Sequence, residues 1–239
     1  MPRKLIRLYL KEPFDEAIAF SLTKEQAHYL GNVMRLKPGD SLRVFANQKG
    51  EWHAQISEIH RKGGKLTFLE KLYDFVENKF LGLAFSPLRS QRLSFLIEKA
   101  TELGVTDFFP VITDQTQQKL PSVERLQAVA IEASEQSERL TVPVFHSPCK
   151  LREFIERGSS RQASLIVCDE RRSGLTLTTD FARGVTNPLL IIGPEGGFSR
   201  KEFDTFEKSR TLSFVDLGQN ILRAETAALC ALSHFHCAV

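Results

Sequence analysis

Chemistry is concentrated in the stretch Leu189-Leu190-Ile191-Ile192-Gly193-Pro194-Glu195-Gly196-Gly197-Phe198-Ser199. An apolar run enters a glycine turn, and Ser199 with Glu202 then has the S-x-x-E spacing of a helix capping box. A strand–loop–helix of this kind places its loop at the carboxyl edge of a sheet, where α/β proteins bind ligands. Glycines there let a ligand approach the backbone closely. The loop has no Lys-Ser or Lys-Thr pair and no G-x-G-x-x-G spacing, so it is neither a Walker A loop nor a dinucleotide fingerprint. Glu195 in its middle repels phosphate and favours a ligand that carries positive charge, or an adenosine read by backbone groups. The competing reading is an ordinary tight turn. A nucleotide-phosphate enzyme is disfavoured by Glu195 and the missing lysine.

A second stretch, Phe214-Val215-Asp216-Leu217-Gly218-Gln219-Asn220-Ile221-Leu222-Arg223-Ala224-Glu225-Thr226-Ala227-Ala228, repeats the arrangement. Its loop is expected at the same sheet edge, and two loops at one edge make a pocket more credible than either alone. Arg223 and Glu225 fall at the helix entrance, where a carboxylate also simply suits the helix dipole and an arginine also fits as surface charge.

The elements that must hold these loops have two textures, which meet near residue 75. From Leu5 to Tyr73 the segments are short and β-like: Ser41 to Phe45 and Trp52 to Ile56 alternate polar and apolar, with turns at Lys37-Pro38-Gly39-Asp40, Lys49-Gly50 and Gly63-Gly64. Thr23 with Gln26 predicts a capped helix running to about Leu30. A small closed or half-closed barrel with one helix is expected. Beyond Lys79 the pattern predicts strands at Leu81–Phe85, Phe108–Ile112, Leu165–Cys168, Leu189–Ile192 and Phe214–Leu217, apolar throughout as in a buried parallel sheet. Helices are predicted at Ser90–Leu103, Ser122–Arg139, Ser199–Ser209 and Ala224–Cys237. The fold class is therefore α/β, with a strand-rich domain over 1–74 and an α/β domain over 75–239.

The 239 residues, 42% hydrophobic and 26% charged, suffice for a core without disulfides or metal. Cys149, Cys168, Cys230 and Cys237 show no C-x-x-C spacing, and Cys168 and Cys230 read as buried thiols. The opening Met-Pro-Arg-Lys-Leu-Ile-Arg has no apolar signal core, and no apolar run is long enough to span a bilayer, so a cytoplasmic protein is expected. A net charge of +3 permits a polyanionic partner. Basic residues cluster around Arg3, Lys4, Arg7 and Lys11, then Arg35, Lys37 and Arg43, then Arg61, Lys62 and Lys65. Arg3, Arg7 and Arg35 are the chosen contacts to nucleic-acid phosphates, against a solvated surface as the plain alternative.

I-G-P-E-G-G-F-S followed by L-G-Q-N-I-L-R-A-E-T-A resembles the ribosomal RNA small subunit methyltransferase E family, a SPOUT-class group. The resemblance extends to Leu96-Ile97-Glu98-Lys99-Ala100-Thr101-Glu102-Leu103-Gly104-Val105, to Ala130-Ile131-Glu132-Ala133-Ser134-Glu135-Gln136-Ser137, and to His28-Tyr29-Leu30 with Val33-Met34-Arg35-Leu36. Gln219-Asn220 stand where the family commonly has Pro-Arg, and the stretch from Thr113 to Ser122 is short.

The resemblance implies S-adenosylmethionine-dependent methylation of N3 of a uridine in 16S ribosomal RNA, free or in the assembling small subunit. It also implies a homodimer, no metal, a C-terminal trefoil knot in the parallel sheet, and an N-terminal PUA-like barrel. Cofactor contacts carry over to Ile192, Gly193, Pro194, Glu195, Gly196 and Gly197, and to Leu217, Gly218, Gln219, Asn220, Ile221 and Leu222, with Ser86 and Pro87 as further candidates. Arg223 is assigned to a uracil carbonyl oxygen, and Glu225 is the candidate base. Gln136 and Arg139 either reach a partner's site or form a polar stripe, the latter preferred. The competing function is a catalytically silent RNA-binding protein of the same fold.

Overall fold

A computed structural model describes residues 5–12, 14–160, 163–171, 173–209 and 212–238. The chain separates into two compact units: Met1–Glu77 with Ser134–Val142, and Asn78–Ala133 with Pro143–Val239. The domain boundary expected after residue 74 did not include this return of the chain to the first unit.

In the first unit the strands are β1 (Arg7–Tyr9), β2 (Phe20–Leu22), β3 (Ser41–Ala46), β4 (Gly50–His60) and β5 (Gly63–Tyr73), ordered β1-β3-β4-β5-β2. Only the β1–β3 pair is parallel among the described strands of this sheet. Helix α1 (Lys24–His28) opens on a reciprocal capping box: Gln26 N–H donates to Thr23 Oγ1 at 3.2 Å, and Thr23 N–H donates to Gln26 Oε1 at 3.0 Å. A π-helical turn, Tyr29–Val33, continues it past the expected end. Leu10, Leu30, Leu42, Val44, Ala54, Ile56 and Leu66 are fully buried in the core of this unit.

The basic cluster at the start of this unit behaves differently from expectation. Arg7 is buried, not presented to a ligand. Its Nε donates to Glu51 Oε1 at 2.6 Å, and its two terminal nitrogens donate to the carbonyls of Ser134 and Arg139 at 2.8 and 2.7 Å. Its guanidinium also lies 4.1 Å over the Phe45 ring. A charge taken out of water needs such partners, so Arg7 is a structural cation and not a phosphate contact. Arg43 completes the cluster by donating to Glu51 and Glu138. Arg35 is exposed, and Arg3 lies outside the described residues. Gln136 is exposed, whereas Arg139 is half-buried, and burial pushes its guanidinium down to about 10.

The second unit is built on one parallel sheet. Its elements are β6 (Gly82–Phe85), α2 (Ser90–Glu102), β7 (Asp107–Ile112), α3 (Val123–Gln136, whose last residues belong to the first unit), β8 (Val144–Phe145), β9 (Cys149–Lys150), α4 (Leu151–Ser160), β10 (Ser164–Cys168), β11 (Leu175–Thr176), α5 (Thr179–Arg183), β12 (Pro188–Ile192), α6 (Arg200–Glu207), β13 (Leu212–Asp216) and α7 (Ala224–His236). The strand order is β11-β13-β10-β12-β6-β7-β8, with β9 also on β7. All its pairings are parallel. Strands β6, β10 and β12 are buried nearly end to end, as helices on both faces of a parallel sheet require.

Burial holds the Cys168 thiol up at about 12, with Cys230 adding to the shift. Cys230, expected buried, is only half-buried, because it lies on the side of α7 away from fully buried Ala228, Ala231 and Leu232. Among the described residues, no helix is long and apolar enough to cross a membrane, and no cluster of metal-ligating side chains occurs.

Candidate functional site

Strands β10, β12 and β13 lie side by side, so their carboxyl ends deliver three loops to one place. Their residues line one cavity of about 480 Å³, together with Arg92 from α2. Gly193 to Gly197 and Leu217 to Leu222 converge there, apart from Gln219, which is not among the lining residues. Ile192 and Arg223 also face the cavity. Gly196 and Gly218, far apart in sequence, thus share a single pocket.

The first loop is held from beneath and from the side. Phe198 packs edge-on against Phe203 and Phe206, at 5.9 and 4.9 Å between ring centres. The capping box forms as its spacing predicts: Ser199 N–H donates to Glu202 Oε2 at 2.7 Å, and Glu202 N–H donates back to Ser199 Oγ at 3.3 Å. Glu202 is buried and has a second task, since its Oε1 accepts from Asp114 N–H at 2.9 Å. Ser199 Oγ donates in turn to Asp114 Oδ2 at 2.6 Å. The short segment after β7 is therefore clasped to the glycine loop, with Gln115 against Gly196. Gly197 has φ +71°, and a Cβ there would stand 2.5 Å from Glu170 Oε1, the atom that accepts from Phe198 N–H. The left-handed backbone favours glycine, and any side chain would also push the Glu170 carboxylate off this bond.

The second loop is more open. Gly218 has φ +109° and no atom within 4 Å of where a Cβ would project. Its N–H donates to Asp216 Oδ1 at 3.0 Å. Ile221 is 84% exposed, an unusual place for a large apolar side chain unless something covers it. Arg223 is the N-cap of α7, yet its side chain makes no capping bond. It is exposed and makes no ion pair with the described residues.

Several lining residues were not anticipated. Cys168 ends β10, Asp169 and Glu170 follow it, and Asp216 closes β13. Asp169 is buried. Burial raises its carboxyl, but the Ser173 hydroxyl and the Arg171 guanidinium and amide more than offset this and hold it below the ordinary carboxylate value. Arg171 is itself positioned 3.4 Å over the Phe203 ring. An apolar strand that ends in Cys-Asp-Glu was the available signal for this third loop.

Arg92 was also missed. Its terminal nitrogen Nη1 stands 3.1 Å from Glu195 Oε1, and its Nε stands 3.6 Å from Glu225 Oε1. Glu225, expected to face the reacting base, is buried, is not among the lining residues, and leaves Oε2 without a hydrogen-bond partner. Ser86 is buried outside the cavity lining, its Oγ 3.5 Å from Thr113 Oγ1, and Pro87 is likewise absent from the lining.

Such a pocket has acidic groups at Asp169, Glu170, Glu195 and Asp216, apolar walls at Leu217, Ile221, Leu222 and Ala227, and arginines at two points. It suits a ligand with a cationic centre and a flat apolar portion, next to a substrate that becomes negatively charged.

Residues 76–236 match the family model described as an RNA methyltransferase domain, and residues 22–69 match an RNA methyltransferase PUA domain. The ribosomal RNA small subunit methyltransferase E of Rickettsia conorii is 31% identical, over 96% of this chain and 94% of its own. The protein of that name from Bacillus subtilis is 28% identical, over 98% and 95%. Among solved structures, ribosomal RNA small subunit methyltransferase E from Neisseria gonorrhoeae, bound to S-adenosyl methionine, superposes with a TM-score of 0.82 at 25% identity, covering 96% of each chain. A Legionella pneumophila protein in complex with bound SAM gives 0.84 at 26% identity, covering 99% of this chain and 98% of its own.

Proposed function

The chain belongs to the RNA methyltransferase family, among the ribosomal RNA small subunit methyltransferase E proteins, and from that premise we propose that it methylates N3 of a uridine in 16S ribosomal RNA with S-adenosylmethionine. The observation that carries this reading is the convergence of the two glycine loops on one cavity.

The residues present fit the cofactor. A volume of about 480 Å³ falls within the roughly 300–1,000 Å³ of small-molecule sites. Gly193 to Gly197 let backbone approach an adenosine, and Leu217, Ile221 and Leu222 offer apolar walls to its ring. The acidic lining favours a sulfonium and an ammonium over a phosphate. When bound, S-adenosylmethionine supplies an electrophilic methyl carbon on a positively charged sulfur.

What the protein must supply is a nucleophile. Uridine N3 carries a proton and a delocalised lone pair, so it reacts only as the anion, whose charge spreads over both neighbouring carbonyl oxygens. Arg223, exposed on the cavity wall and not engaged in a cap, is assigned to one of those oxygens. N3 then forms its bond to the methyl carbon as the carbon–sulfur bond breaks, with the pair left on sulfur. The products are N3-methyluridine and S-adenosylhomocysteine. Glu225 is not among the lining residues and has Arg92 as its neighbour, so the N3 proton is assigned to solvent at the cavity mouth. Anion and sulfonium become neutral products, and a pocket poor in water therefore helps, provided alignment is kept.

The same reading includes a homodimer and a C-terminal knot. Purified protein, S-adenosylmethionine and small ribosomal subunits from a strain lacking this protein test it, with mass mapping of the product. One N3-methyluridine is expected. Failure to bind the cofactor in calorimetry would favour the silent RNA-binding alternative.

A further inference from the structure

We propose that Arg92 is a second catalytic cation, which binds the uracil carbonyl oxygen that Arg223 does not, so that two arginines bracket the imide anion and select uridine. The inference rests on the function proposed above and assigns a residue of α2 to that site.

Arg92 comes from an element that neither glycine loop includes, yet its side chain lines the same cavity. It is anchored by both loops: Glu195 belongs to the loop after β12, and Glu225 to the first turn of α7. Those contacts engage Nη1 and Nε, and a guanidinium has five N–H donors in a fixed fork. Donors on Nη2 remain for a ligand. Its side chain is 30% exposed, so it is held in place without being sealed off.

The carboxylates also solve an electrostatic problem. Two arginines beside a sulfonium would repel one another and the cofactor. Glu195 and Glu225 both stand against Arg92, so this second cation can stand there before the substrate arrives. Glu225, with Oε2 buried and unpartnered, acts through Arg92 as a positioning residue.

The chemistry requires two cations more than one. Loss of the N3 proton to solvent leaves charge on both flanking carbonyl oxygens, and Arg223 alone would stabilise only one of them. Donors on both sides also discriminate between bases. Cytidine has an amino group at one of these positions, so a donor would face a donor, and a site built for hydrogen bonds rejects such a mismatch strongly.

Two variants, Arg92→Gln and Arg92→Lys, test the proposal with small subunits whose RNA carries either uridine or 5-fluorouridine. Fluorination acidifies N3–H and makes the anion without help from the protein. In Arg92→Gln the single-turnover rate on uridine is expected to fall roughly a hundredfold or more, with S-adenosylmethionine affinity within about threefold. The rate–pH profile should move to higher pH, and most of the loss should disappear on 5-fluorouridine. Arg92→Lys, which keeps the charge, should recover part of the rate. A second readout needs no turnover: with S-adenosylhomocysteine bound, wild-type affinity for 5-fluorouridine RNA should rise with pH, and in Arg92→Gln that rise should flatten. An equal loss on both bases with an unmoved pH profile, or a fall in cofactor affinity that accounts for the rate, would overturn the role. If wild-type product is not N3-methyluridine, the proposed function itself fails, an outcome separable from a negative result for Arg92.

Discussion

Arg223 and Gly197 sit at the two ends of what a single residue can do in this pocket. Arg223 touches little in the protein and faces the cavity, so its removal should affect chemistry and spare the fold. Arg223→Ala is expected to lower the methylation rate roughly a hundredfold or more while S-adenosylmethionine affinity stays within about tenfold, or about 1.4 kcal/mol. Rapid-quench assays and calorimetry on one preparation separate the two effects, and retained turnover would remove the arginine from the reaction. Gly197 is the opposite case. Its left-handed backbone strains any side chain, and a methyl group would displace the Glu170 carboxylate that accepts from Phe198 N–H. Gly197→Ala should weaken cofactor binding by tenfold or more, about 1.4 kcal/mol, with a smaller effect on the rate at saturation. Both residues were legible in the sequence because each belongs to a contiguous strand–loop–helix. Arg92 was not, because 103 residues separate it from Glu195 and nothing local marks a helical arginine as a pocket residue. Arg7 misled for the converse reason: a basic residue in a basic cluster gives no sign that three acceptors are waiting for it inside the fold.

Helix α6 and the turn after β10 are the elements that keep the first loop in shape; α6 stands outside the cavity lining, whereas the turn contributes Asp169 and Glu170 to it. Ser199→Ala removes the cap oxygen and the bond to Asp114 together. A loss of about 1 kcal/mol is expected from the cap alone, visible as a lower Tm, with a further loss where the clasp on Asp114 opens. Asp169 gives a pH signature. Its folded carboxyl lies below the ordinary value, so its contribution is fully present above the unfolded value of about 3.9. That contribution is lost as pH falls through the still lower folded value. Asp169→Asn should therefore unfold at lower temperature than wild type from about pH 7 to about pH 5, with the gap closing below about pH 4. A gap that persisted undiminished at the acid end would mean that the carboxylate charge is not what matters. The elements themselves were read well where burial dictates composition. The apolar runs predicted as strands appear within a residue or two as β6, β7, β10, β12 and β13. Helices α4 and α5 escaped notice, because neither opens on the capping-box spacing that marked α6. Strand order was illegible, since parallel strands alike in composition carry no mark of their neighbours.

At the scale of the molecule, the partner is a polyanion and the net charge is only +3, so binding must depend on where the cations stand more than on how many there are. Arg7 and Arg35 lie in the same unit and carry the same charge, yet the fold has given them different work. Arg7 is enclosed with Glu51, the Ser134 and Arg139 carbonyls and the Phe45 ring, and so ties the returning segment Ser134–Val142 to the strands of its unit. That return could not be foreseen from a pattern of contiguous domains, because its contacts join residues 127 and 132 positions apart. Breaking a buried pair from one side costs about 3–5 kcal/mol, so Arg7→Ala should lower the unfolding midpoint substantially. Where the variant remains folded, the slope of log affinity for ribosomal RNA against log salt should be that of wild type. Arg35 is exposed, and Arg35→Gln should leave stability within about 0.5 kcal/mol. It should reduce the salt slope by roughly 0.7 to 0.9, the contribution of one phosphate contact. Titrations at several salt concentrations, paired with thermal melts of both variants, measure the two effects independently. If Arg7→Ala flattened the slope while Arg35→Gln left it alone, the RNA-facing surface would have to be sought on another face of the unit, among Arg61, Lys62 and Lys65 around the Gly63-Gly64 turn.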